Sequence, residues 1–127
     1  MADYNPPTTS SHAFGVGPSK FIIKGGKPLN GMVEISGYKN SAGACLAASL
    51  LTDEEIILDN LPLVEDIFKL LKVLKSIGVE ISWLNERKVK IKAGSKVDPE
   101  KMDQASIEET RISVLLIGSL LSRFEKF

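Results

Sequence analysis

Cysteine and histidine are almost missing from this chain. Cys45 is the only cysteine among 127 residues, so no intrachain disulfide can form, and a reducing cytoplasm fits that usage. His12 is the only histidine, which excludes a His-based catalytic triad or a metal cluster built on imidazoles. No apolar run reaches the roughly 18 residues of a membrane span, and the N-terminus lacks the basic-then-apolar order of a signal peptide. An excess of either charge is missing too. Sixteen basic residues balance 16 acidic ones, which disfavours broad binding to nucleic acid or an anionic membrane but leaves room for one local anion site. No basic, aromatic-studded sheet face is visible, which counts further against a nucleic-acid role.

What is present is enough chain for one compact domain, with no internal repeat. Residues 1–19, MADYNPPTTSSHAFGVGPS, have no apolar period and read as a disordered leader or a cloning remnant. GVGPSK within them lacks a preceding strand, a third glycine and the GK[ST] ending of a phosphate loop. From residue 20 the pattern sharpens. KFIIKG is a short strand candidate, KPLNG a turn, and MVEIS (32–36) alternates as a second strand. Residues 40–52, rich in Ala, Leu and Ser, predict a helix buried on most faces. EIILD (55–59) is a strand and NLPLVED a loop ending in acids.

The next helix has the clearest signature. Ile67, Leu70, Leu71, Leu74 and Ile77 recur at helical spacing, with Glu65 and Asp66 in the first turn and Lys69, Lys72 and Lys75 outward. Gly78 ends it as a C-terminal cap. VEISWL (79–84) and KVKIKA (88–93) read as a hairpin joined by NER, with Trp83 packing on the sheet. Ser106 and Glu109 form a capping box before TRISVLLIGSLLSRF, whose near-total apolarity predicts a buried helix. The fold class is therefore α/β (α+β), a mixed sheet packed on helices.

Two positions carry candidate chemistry. Lys39 stands at the start of helix 40–52, where the dipole favours acids. It is either a solvated turn lysine beside an N-capping Asn40, or one half of an anion site completed by the unpaired N–H groups of the helix start. In the second case Gly37 lets the chain turn and a ligand approach. Arg111 lies in an apolar helix shortly after Glu108 and Glu109. It either pairs with one of those acids or aims a fork of donors at a ligand oxygen. Arg123 reads as a complement to the helix dipole, and Cys45 as an inert, buried packing residue.

FIIKGGKPLNGMVEISGYKNSAGACLAASLL resembles the opening of the UDP-N-acetylglucosamine 1-carboxyvinyltransferase (enolpyruvyl transferase) family. That family opens with a strand, a G-x-x-x-L-x-G turn, a strand ending in SG, and x-K-N at the start of an Ala/Leu helix. Here these are Gly26 to Gly31, Ser36-Gly37 and Lys39-Asn40. NLPLVEDI, LLKVLKSIGVEI and ETRISVLLIGSLLSRF continue the likeness, in order, over residues 20–125. The resemblance implies a β-α-β-α-β-β unit of the family's inside-out barrel, plus the following helix, over residues 20–127. It implies transfer of enolpyruvyl from phosphoenolpyruvate to the 3-hydroxyl of UDP-N-acetylglucosamine with release of phosphate, the first committed step of peptidoglycan synthesis in the cytoplasm. No cofactor or metal is implied. Lys39 would contact phosphoenolpyruvate and stabilise charge, Asn40 would share that pocket, and Arg111 would bind on the UDP-sugar side. The sister family, 3-phosphoshikimate 1-carboxyvinyltransferase, typically has K-S where this chain has Lys39-Asn40.

Family members are longer and fold as two similar domains. The loop with their catalytic cysteine or aspartate has no counterpart in these 127 residues, and Cys45 does not take its place. The 127-residue chain by itself is therefore expected to be inactive, with residues 20–37 meant partly for the other domain. Exposed apolar area and self-association to cover it are the physical corollary. A non-catalytic module that binds an anion or a protein partner is the alternative.

Overall fold

A computed structural model of the protein describes residues 22–108 and 111–124. Helix α1 spans Lys39–Ala48 and continues as a 3-10 turn over Ser49–Leu51. Strand β1 (Glu55–Leu58), helix α2 (Glu65–Ser76), and strands β2 (Glu80–Asn85) and β3 (Lys88–Lys92) follow. A 3-10 turn at Pro99–Lys101 leads to helix α3 (Gln104–Glu108). A further 3-10 stretch, Arg111–Val114, runs into helix α4 (Leu115–Arg123).

Helix α2 organises the core. Its apolar residues fall on one face, so Ile67, Leu70, Val73 and Leu74 are buried together with Ile77 just beyond its end. Each such side chain contributes about 1.5–3 kcal/mol of burial free energy. The sheet meets this face through Trp83, which stacks on Phe68 with centroids 6.0 Å apart, and through buried Val89 and Ile91. On the other side Leu46 and Leu50 of the α1 region and Leu116 and Leu120 of α4 close the core. Gly78 stops α2 at φ +93°, with the Lys96 carbonyl oxygen only 2.8 Å from where a Cβ would stand. The left-handed cap expected there is therefore required twice over, by conformation and by space.

The strands run antiparallel in the order β1-β3-β2. Ile56 faces Ile91 across β1 and β3, and Trp83 faces Val89 across β2 and β3. On the opposite face Glu55 and Glu80 flank Lys92, and Ser82 faces Lys90. Alternation thus puts apolar residues toward α2 and a mixed-charge set outward.

Several expectations need correction. Among the described residues no strand precedes Glu55, so the strands expected at 20–25 and 32–36 are not seen. The sequence alternates as a strand should, but residues 22–36 meet no sheet edge, and a strand without a partner leaves its ladder unmade. Met32, Val33 and Ile35 stand exposed as a result. The sheet is antiparallel rather than mixed among the described residues for the same reason. A strand at 32–36 followed by α1 and β1 is the β-α-β crossover that would supply a parallel pair.

Helix α1 is covered on one side only. Gly43, Leu46 and Ala47 are buried, whereas Ala44, Cys45, Ala48 and Leu51 are exposed. The C-terminal apolar segment is not one buried helix but a 3-10 stretch running into α4, with Val114, Leu115, Ile117 and Leu121 exposed. In both cases the residues around the helix are apolar on more sides than neighbouring elements cover. The leader at 1–19 and the Ser106–Glu109 capping box lie outside what the structure describes, the Ser106 side chain included.

Candidate functional site

The start of α1 is held in place by a backbone contact that only glycine permits. A Cβ on Gly37 would lie 2.1 Å from the Asn60 carbonyl oxygen. Asn60 itself adopts φ 54° and donates its side-chain amide to the Ile35 carbonyl at 3.3 Å. The neighbouring Leu61 N–H reaches the Arg87 carbonyl at 2.7 Å, tying this loop to the β2-β3 turn. Gly37 is thus needed for the docking of 35–37 onto loop 59–62.

Beyond it Tyr38 is the N-cap residue, extended and without a side-chain cap, so Asn40 is not the capping residue. The Tyr38 carbonyl accepts the Ala42 N–H at 3.0 Å, while the Asn40 side-chain amide donates to the Tyr38 hydroxyl at 2.8 Å. The first turn of α1 contains no acid and no side chain caps it. Its leading N–H groups therefore keep their attraction for an anion.

Lys39 is the first residue of α1, and its Nζ donates to Asp66 Oδ2 at 2.7 Å. The two side chains retain 49% and 36% of their exposure, so the ammonium is paired on one side and open to solvent on the other. Three N–H donors on an ammonium leave two for another acceptor. The lysine that looked misplaced at a helix start is therefore balanced by an acid from the first turn of the next helix, where a carboxylate is itself favoured. Sequence reading placed Asp66 only as a complement to its own helix. No local spacing signals its pairing with Lys39, 27 residues away in sequence.

Arg111 opens the 3-10 stretch after α3 and is exposed. No ion pair joins it to Glu108 among the described residues. Its neighbour Ile112 packs on α1, with Cγ2 at 2.7 Å from the position a Cβ on Gly43 would take. The structure thus sets Lys39 and Asn40 together on one turn and anchors the segment carrying Arg111 against the same helix one turn further on.

Two other readings change. Cys45 is exposed, not buried. It lines a shallow cleft of about 190 Å³ with Gly37, Tyr38, Ser41, Asn60 and Pro62, and neither Lys39 nor Asn40 is among its walls. Asp59, at the edge of that cleft, is held below the ordinary carboxylate range by the Lys88 ammonium and then by the Asn60 N–H. Arg123 does far more than complement a dipole. Its guanidinium donates to the Leu50 carbonyl at 2.9 Å and the Gly94 carbonyl at 3.0 Å, and it pairs with Asp53. No group of three metal-ligating side chains occurs among the described residues, and no helix there is long and apolar enough to cross a membrane.

Comparison with known proteins adds what the geometry alone does not. The sequence profile described as EPSP synthase (3-phosphoshikimate 1-carboxyvinyltransferase) matches residues 23–127. The chain is 37% identical over 107 residues to a UDP-N-acetylglucosamine 1-carboxyvinyltransferase of Treponema denticola, covering 84% of this chain and 25% of that protein. It is 45% identical over 102 residues to the enzyme of the same name from Prochlorococcus marinus subsp. pastoris, covering 80% and 22%. The chain thus spans about a quarter of the length of the curated relatives it matches. Among solved structures it is similar to the enolpyruvyl transferase NikO from Streptomyces tendae. The TM-score is 0.66 at 23% identity, over 78% of this chain and 23% of that one, a likeness of fold.

Proposed function

Since this chain belongs to the EPSP synthase family of carboxyvinyltransferases, we propose that it carries the lysine side of an enolpyruvyl-transfer site for phosphoenolpyruvate and UDP-N-acetylglucosamine. The observation that carries the proposal is the juxtaposition at the start of α1: a half-exposed Lys39 side chain beside helix N–H groups that no side chain caps. Phosphoenolpyruvate is a small polyanion, and fixed donors at a helix start are the economical way to hold one. The reaction adds the sugar's 3-hydroxyl across the enol double bond, its oxygen to the phosphate-bearing carbon and a proton to the methylene carbon. It then breaks the bond to the phosphate oxygen as a proton leaves that methyl carbon and the double bond is restored. Charge shifts onto phosphate as it leaves, and a preorganised ammonium stabilises that charge without solvent reorganisation.

In this reading Lys39 is the catalytic cation, Asn40 hydrogen-bonds substrate in the same pocket, and Arg111 serves the UDP-sugar side. The relatives' names favour UDP-N-acetylglucosamine as acceptor, as does Asn40 directly after Lys39. The family description favours a second acceptor, shikimate 3-phosphate. The enzyme would act in the cytoplasm, at the entry to peptidoglycan synthesis. The 127-residue chain by itself would be inactive and would associate with itself through exposed Ile22, Ile23, Leu29, Met32, Val33 and Ile35.

The test is phosphate release from phosphoenolpyruvate by the protein expressed from its complete reading frame, offered each acceptor in turn. Release with UDP-N-acetylglucosamine is the expected result. Release with shikimate 3-phosphate alone would reassign the acceptor, and release with neither would overturn the reading. Calorimetric titration of the 127-residue chain with both substrates distinguishes a module that binds on its own from one that only associates.

A further inference from the structure

We infer that Asp66 is the positioning residue for Lys39, fixing the direction in which its ammonium meets an anionic substrate. The inference rests on the proposed enolpyruvyl-transfer reading of that site. Lysine carries its charge on a flexible four-carbon stem, and an exposed ammonium left to itself samples many directions. Here one direction is chosen by a 2.7 Å bond to Asp66 Oδ2.

The carboxylate is in turn held by a rigid base. Asp66 sits in the first turn of α2, and the next residue, Ile67, is 1% exposed in the core. The α2 macrodipole favours an anion at that place. The adjacent acid, Glu65, is already engaged by Lys69 at 2.8 Å, one turn along the same helix. The two ion pairs therefore sort the charges: Glu65 serves its own helix, and Asp66 reaches across to α1.

The pair's exposure decides between positioning and blocking. Were Asp66 to occupy the ammonium fully, a substrate anion would have to displace it. With 49% of the Lys39 side chain still exposed, the ammonium takes a second acceptor while keeping the first. Asp66 orients the cation and does not itself touch substrate, so its effect falls on the substrate Lys39 meets.

The experiment uses the protein expressed from its complete reading frame, with steady-state phosphate release as readout. Asp66→Ala should lower kcat/KM for phosphoenolpyruvate by about tenfold to hundredfold, the usual cost of a catalytic group displaced by an ångström or so. KM for UDP-N-acetylglucosamine should stay within about twofold, and the melting temperature within about 3 °C, since an exposed ion pair adds little to stability. Asp66→Asn keeps an oxygen acceptor in place and should recover part of the loss. Unchanged or improved phosphoenolpyruvate kinetics in Asp66→Ala would overturn the inference. Equal losses toward both substrates accompanied by a lower melting temperature would do so as well, by making the role structural. Lys39→Ala is run alongside: if it too leaves turnover unchanged, the proposed function has failed, whereas an inactive Lys39→Ala with a normal Asp66→Ala refutes only the positioning role.

Discussion

Replacing Arg123 with lysine should unfasten the end of α4 even though the charge is kept. The guanidinium serves three acceptors at once: one nitrogen donates to the Leu50 carbonyl, and the other to the Gly94 carbonyl and Asp53. These acceptors belong to the 3-10 turn after α1, the loop after β3, and the loop before β1, so a single side chain pins α4 to three places. A planar fork spans them, and a single ammonium cannot. Each carbonyl bond to a charged donor is worth about 1.5 kcal/mol at the low end. The Asp53 pair adds at most about 1 kcal/mol, its carboxylate being 71% exposed. The expected cost of Arg123→Lys is therefore about 2–3 kcal/mol, and of Arg123→Ala somewhat more. Urea unfolding of both variants measures it as a fall in midpoint at constant slope. If Arg123 merely complemented the dipole, lysine would serve equally well. An Arg123→Lys variant within about 0.5 kcal/mol of the parent would refute the clamp.

Other outcomes follow from the same geometry. Gly37→Ala forces a Cβ to within 2.1 Å of the Asn60 carbonyl, so the segment must lift from its loop. The Asn60 side-chain amide resonances should then move to solvent-like positions, while Gly31→Ala, with nothing within 4 Å of its Cβ, leaves them unchanged. Leu74→Ala empties a wholly buried site and should cost about 3–4 kcal/mol in urea unfolding. Asp98 is held below the ordinary carboxylate range by the Lys101 ammonium and then by the Glu100 N–H. A depressed folded-state value contributes stability that is present above the unfolded value and lost as pH falls through the folded one. Stability should therefore decline from about pH 4 downward, and Asp98→Asn should flatten that decline in acid urea titrations.

The parts of the fold that are legible in the sequence are those whose neighbours are among the described residues. Helix α2 shows its register because one face meets the sheet and the other meets water, so apolar and charged residues separate cleanly. The β2-β3 hairpin is readable for the same reason, since Trp83, Val89 and Ile91 all point to α2. Residues 32–36 alternate just as clearly, yet alternation reports only that two faces differ. It does not say which edge will pair with them, and among the described residues none does. The apolar surroundings of α1 and α4 likewise promise burial on more sides than the described elements provide.

The candidate site is legible in type but not in connection. Lys39 and Asn40 stand out because a lysine at a helix start opposes the dipole. That opposition is relieved by Asp66, 27 residues away, through a pairing that no local spacing encodes. Arg123 shows the converse. Its position at a helix end has an adequate local explanation, which hid three longer-range bonds. The small, apolar sequence neighbours of Cys45 predict burial, but its side of α1 is left uncovered by the described residues.

The most direct test of the account is phosphate release from phosphoenolpyruvate with UDP-N-acetylglucosamine, compared between the protein expressed from its complete reading frame and its Lys39→Ala variant. The account predicts turnover in the first and a loss of at least about a hundredfold to a thousandfold in the second, the scale of removing one preorganised donor from developing charge. Equal turnover in the two proteins would contradict it.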